Sequence, residues 1–90
     1  MPVRVRIPTI FRPHTDGQKQ VVGDGDTLAA LLADLETRYA GLSPRVVEAG
    51  ELRRFVNVYV NDSDVRFTGG LLTTLADGDE VTILPAVAGG

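Results

Sequence analysis

The 90-residue sequence has no cysteine, a single histidine and a single lysine. Without thiols it cannot form a disulfide, hold an iron-sulfur cluster, build a thiolate zinc site or use a cysteine nucleophile. His14 stands alone between Pro13 and Thr15, with no second ligand or nucleophile signalled, and reads as a solvated turn residue rather than a catalytic base or metal ligand. Lys19 is the one lysine, so a ubiquitin-style polymer has only that side chain or the amino terminus to grow from. No apolar run approaches the ~20 residues needed to span a bilayer, so no membrane partner is expected. The start, Met1-Pro2-Val3-Arg4, lacks the unbroken apolar stretch of a signal peptide, which makes the cytoplasm the expected compartment. A formal net charge of −3 and no evident basic face argue against a nucleic-acid partner.

What is present is an ordinary globular composition, 43% hydrophobic and 23% charged, sufficient for one domain with a single modest core. Val3, Val5 and Ile7 alternate with Arg4, Arg6 and Pro8, which predicts a strand over 3–7. Arg12 to Gly17 supplies turn formers, and Lys19 to Val22 resumes an extended pattern, giving a hairpin with a long loop. Asp26 or Thr27 can cap a helix start. Leu28, Leu31, Leu32, Leu35 and Tyr39 then form one apolar stripe, which predicts a helix over 27–39 with a glycine stop at Gly41 followed by Leu42. Residues 43–53 read as irregular, with Val46 and Leu52 under the core. Phe55 to Val60 reads as a strand, Val65 to Phe67 as a short strand, Leu71 to Leu75 as a loop or single helical turn, and Asp77-Gly78-Asp79 as a tight turn.

Glu80 to Leu84 predicts the last strand, closed by Pro85, and Ala86-Val87-Ala88-Gly89-Gly90 follows without a charged side chain. A domain over 1–85 with a flexible tail over 86–90 is expected. Extended, the tail reaches about 17 Å, and its glycines fit a channel too narrow for side chains. The terminal carboxylate of Gly90 is therefore the candidate reactive group, with Gly89, Ala88 and Val87 as the segment threaded into another protein. A diglycine end by itself also fits an inert terminus. Strand parity, with Val81 and Ile83 facing the helix, turns Leu84 outward; on the preceding strand it turns Phe55 and Tyr59 outward. Those three are the candidate partner-binding patch on the open sheet face, with inverted parity or cover from 43–54 as the alternative. Two further motifs fail: Gly23-Asp24-Gly25 has Leu28 where a dinucleotide fingerprint needs glycine, and Asp62 to Asp64 has Phe67 and Thr73 where a calcium loop needs glycine and glutamate. No bound cofactor and no metal site are expected.

The order strand, strand, helix, strand, short strand, strand, ending in Gly-Gly, resembles the β-grasp, ubiquitin-like sulfur carriers, which include the molybdopterin synthase small subunit and the thiamine-biosynthesis carrier. Within that family, Arg6 to Ile10, Arg12 to Thr15, Phe55 to Asp62, Val65 to Phe67 and Val81 to Gly90 are similar to the mycobacterial-type carrier of cysteine biosynthesis. The segment from Ser43 to Arg54 looks shorter than in that branch. The resemblance implies an α+β fold with a mixed four- to five-stranded sheet, one main helix across one face and an extended tail. It further implies a protein co-substrate rather than an enzyme. Gly90 would be adenylated by an ATP-using, ubiquitin-activating-like enzyme and converted to a thiocarboxylate. Its sulfur would pass to O-phosphoserine on a pyridoxal-phosphate-dependent cysteine synthase, and a zinc-dependent protease would release cysteine. A monomer is the simplest form that keeps such a tail free. A sulfur carrier for molybdopterin or thiamine synthesis, a ubiquitin-like modifier and an inert β-grasp interaction domain are the competing readings.

Overall fold

The alternation of buried branched and exposed charged residues in the first strand is matched by buried and exposed positions in both strands that flank it. The computed structural model describes residues 2–85. Strand β1 (Pro2–Arg6) pairs antiparallel with β2 (Gln20–Asp24), joined by a 3-10 segment, Thr9–Thr15. The chain then enters helix α1 (Leu28–Glu36) and a short helix α2 (Leu42–Val46), followed by a two-stranded ribbon of β3 (Val47–Glu48) and β4 (Glu51–Leu52). Strand β5 (Val56–Val60) turns back into β6 (Ser63–Asp64); 3-10 turns at Val65–Phe67 and Gly70–Leu72 lead to β7 (Glu80–Pro85). The main sheet has the order β2-β1-β7-β5-β6, with β1 and β7 parallel and the other pairs antiparallel.

One face of this sheet carries Val3, Val5, Val21, Val58, Val81 and Ile83, and all pack in one cluster with the α1 stripe Leu28, Leu31, Leu32 and Leu35. Helix and sheet approach closely: a Cβ added at Gly23 would come within 2.8 Å of Leu31 and Leu35, and one at Gly25 within 2.4 Å of the Leu31 backbone nitrogen. Thr27 caps α1 by accepting from the Ala30 amide at 3.2 Å.

Three expectations change. Helix α1 stops at Glu36 instead of Tyr39, because the Glu36 carboxylate folds forward to accept from the amides of Gly41 and Ser43, each at 2.9 Å. Gly41, at φ +95°, opens α2 rather than simply ending α1, so 43–53 is not irregular but a helical turn and a ribbon. Val65–Phe67 is a 3-10 turn; the short strand lies two residues earlier, because the Asp64 side chain accepts from the Arg66 amide and coils the chain.

Candidate functional site

Strand β7 occupies the middle of the sheet, and its C-terminal residues leave between β1 and β5. Val56 faces Pro85 and Asn57 faces Leu84 in the final rungs of the β5 ladder. Val87, Ala88, Gly89 and Gly90, the predicted reactive segment, lie outside the described residues. The describable part of the site is therefore its base.

Leu84 is 44% exposed on the sheet face away from α1. Tyr59 shares that face, since it pairs with Thr82 two positions back, but it is only half-exposed. Phe55 is 59% exposed and lies outside the ladder that holds this pair. It precedes β5 in a turn and lines a cleft with Ile10, Arg45 and Arg54, so the three-residue patch divides between two surfaces.

Ile10 joins them. It is 59% exposed and lines both the Phe55 cleft and a second open cleft, of about 710 Å³, that runs along Leu84 and Pro85. No period marks Ile10 in the sequence; its one signal is a large apolar residue inside a loop bounded by Pro8 and Pro13. The 3-10 turn that begins with the Phe11 amide donating to the Pro8 carbonyl at 2.9 Å buries Phe11 and leaves Ile10 outward.

Both clefts are basic. Arg6, Arg12 and Lys19 line the one beside Leu84, and Arg45, Arg53 and Arg54 the one beside Phe55. The Arg12 Nε donates to the Ile7 carbonyl at 3.2 Å, and Arg53 pairs with Glu48 at 2.9 Å. The sequence scatters these six cations from position 6 to position 54, which is why no basic face was legible there.

The two displaced carboxylates are structural. The Asp24 amide, donating at 2.8 Å, holds Asp34 below the usual carboxylate range, with Arg38 adding to the effect. The Gly41 and Ser43 amides do the same for Glu36, helped by the charge of His14. His14 lies against Gly41, and among the described residues no group of three or more histidine or acidic side chains is arranged to hold a metal. Nor is any described helix long and apolar enough to cross a membrane.

The family model described as the ThiS family matches residues 5–90. The sulfur carrier protein CysO of Mycobacterium tuberculosis is 63% identical, with all of both chains covered. Its crystal structure superposes with a TM-score of 0.92 over 94% of this chain and 99% of that one. CysO of Amycolatopsis orientalis, solved in a complex with BexX, gives 0.93 at 56% identity, covering 98% and 99%. Small archaeal modifier protein 3 of Haloferax volcanii is 40% identical over the whole of both chains. With the mixed sheet and its crossing helix forming the same ubiquitin-like β-grasp, this chain belongs to the ThiS family of ubiquitin-like sulfur carriers.

Proposed function

We propose that this chain carries sulfur on Gly90 for the synthesis of cysteine. The Gly90 carboxylate attacks the α-phosphorus of ATP on an adenylating partner, and pyrophosphate leaves. A sulfur donor then attacks the acyl carbon, AMP leaves, and Gly90 ends in a thiocarboxylate. On a pyridoxal-phosphate-dependent synthase that sulfur bonds to the β-carbon of O-phosphoserine as phosphate departs. An acyl shift from sulfur to nitrogen leaves cysteine amide-linked to Gly90, and a zinc-dependent protease hydrolyses the amide and restores the carboxylate.

The observation that carries this reading is the full-length 63% identity to a CysO sulfur carrier. The fold supports it: a tail leaving the middle strand of a rigid sheet can be presented end-on, and a side-chain-free tip can be aligned with reacting groups inside another enzyme. Each partner supplies the catalysis, and the domain supplies a handle and an acyl group. The setting proposed is a cytoplasmic monomer.

The test is the intact mass of the chain after incubation with ATP, the adenylating enzyme of its own organism and sulfide. A gain equal to exchanging one oxygen for sulfur is expected, and none in a chain lacking Gly90. No gain, with the enzyme competent on another carrier, rejects the proposal. Adding O-phosphoserine and the synthase then tests the cysteine branch.

The 40% identity to an archaeal modifier protein favours one second reading, conjugation to target lysines. Ladders of high-mass conjugates in lysates, lost on deleting Gly90, would establish it.

A further inference from the structure

The net charge of −3 conceals a strong separation of charge. Strand directions define two ends of the sheet. At one, β1 and β7 finish and β2 and β5 begin; at the other, β1 and β7 begin and β2 and β5 finish. Six of the nine lysines and arginines, the cations named above, line the two clefts at the first end, where the described lining carries one carboxylate, Glu48, and the connection from β1 to β2 carries one more, Asp16. The second end gathers six of the twelve carboxylates: Asp24 closes β2, Asp26 follows it, Asp62 follows β5, and Asp77, Asp79 and Glu80 lead into β7.

Four of the six cations, Arg6, Lys19, Arg45 and Arg54, are exposed, and their side chains make no hydrogen bond or ion pair with the described residues, so the fold does not consume their charge. Arg6 alternates with the buried Val5 and faces Gln20 and Thr82 across its two ladders, which puts it on the open sheet face. Between the cations stand the exposed apolar residues Ile10, Phe55 and Leu84. Apolar centres inside a charged rim are what a protein interface presents.

We infer that this basic collar docks on an acidic rim around the entrance of the enzyme site that receives the tail, and that the opposed charges of the two ends orient the molecule tail-first during approach. The inference rests on the sulfur-carrier reading above. A tail can enter a channel only when its own end of the domain faces the partner, so orientation limits the encounter rate. A bipolar charge distribution turns the molecule before contact, and such steering raises association by about 10- to 1,000-fold at low salt. The acidic end is repelled by the same rim, so both halves of the distribution act in one direction.

The measurement is stopped-flow association of the full chain with the adenylating enzyme of its own organism, across a range of ionic strength. The variants are R6E/K19E at the collar, the milder R6Q/K19Q, and D62K/D77K at the opposite end. Association of the parent should fall at least tenfold from low to high salt. R6E/K19E should associate at least tenfold more slowly at low salt and lose most of the salt dependence, with the dissociation rate changed less than threefold. R6Q/K19Q should lie between, and unchanged circular dichroism would set folding aside; if the charge reversal unfolds, the neutral pair carries the test. D62K/D77K should slow association by less than either collar pair. Salt-independent association, or equal slowing by both ends, overturns the proposal. So does tighter binding of a labelled DNA duplex than of the enzyme at physiological salt, because the collar would then be serving nucleic acid. These rates are read without turnover, so a parent that binds in this pattern yet gains no sulfur would refute the carrier chemistry alone.

Discussion

The two faces of the sheet are made by the same strands and do opposite work. On the helix side, Val3, Val5, Val58, Val81 and the four leucines of α1 are almost fully excluded from water. On the other side, Arg6, Thr82, Leu84 and Asn57 are left facing away from the helix, the first three beside one exposed cleft. Alternation within one strand thus separates what holds the fold from what is left to solvent, residue by residue. The lesson is that stability and partner binding should be separable by mutation even at adjacent positions.

The sharpest way to break that separation is through the buried face. Leu31→Ala removes a side chain with no solvent exposure, and the helix is too closely seated to refill the space. It should cost about 2–5 kcal/mol in denaturant unfolding. Well below the unfolding transition, the folded fraction should still bind the adenylating enzyme with parental affinity. Affinity lost in that folded fraction would mean the two faces are coupled.

The converse change is Leu84→Asp, one residue from the fully packed Ile83. It should weaken the adenylating enzyme's affinity about tenfold, near 1.4 kcal/mol, with a stability change under about 1 kcal/mol. Unfolding by calorimetry instead of weakened binding would assign Leu84 to the core.

A finer cut compares Phe55→Ala with Tyr59→Phe. Phe55 lies beside Ile10 at the tail base, whereas the Tyr59 ring is half-covered farther along the sheet. The first should lower affinity about threefold to tenfold by loss of interface contact, and the second should leave it within error. Equal effects would restore a single Phe55–Tyr59–Leu84 surface.

The smallest effect concerns the α1–α2 joint. Glu36 has its folded pKa lowered from the ordinary glutamate value of 4.5 by the Gly41 and Ser43 amides. A lowered folded pKa means the contribution is fully present above the unfolded value and lost as pH falls through the folded one. Hydrogen exchange at Gly41 and Ser43, corrected for the intrinsic pH dependence, should therefore lose protection once the pH has fallen below 4.5 and passes through the lowered folded value. Glu36→Gln should abolish that acid-dependent step while leaving the sheet amides unaffected.

The strands and α1 were legible because burial on one side imposes periods of two and about 3.6 on the residues themselves. The sheet's inward and outward residues followed from that parity, including Leu84. What was not legible depends on contacts between distant positions. The early end of α1 is set by a carboxylate reaching five and seven residues ahead, and the outward turn of Ile10 by a 3-10 segment that instead buries Phe11 and Thr15. Phe55 was read as a strand residue because its type favours strands, yet the ladder begins one residue later. The basic collar is a property of topology alone, assembled from five separate places in the chain: Arg6, Arg12, Lys19, Arg45 and Arg53-Arg54.

The place of β7 also has a consequence for biosynthesis. It is the last described strand to be made, yet it fills the gap between β1, among the first residues synthesised, and β5. Until residue 85 has emerged, β1 lacks its parallel neighbour, β5 lacks its longer partner, and the helix-facing layer lacks a finished strand carrying Val81 and Ile83. Pairing the earliest strand with the latest makes the closing contacts the most distant in sequence, so local structure on a nascent chain cannot complete the domain. Newly made molecules therefore present either the finished sheet or no complete sheet face to anything that binds it, so translation itself screens which copies can be recognised by their fold.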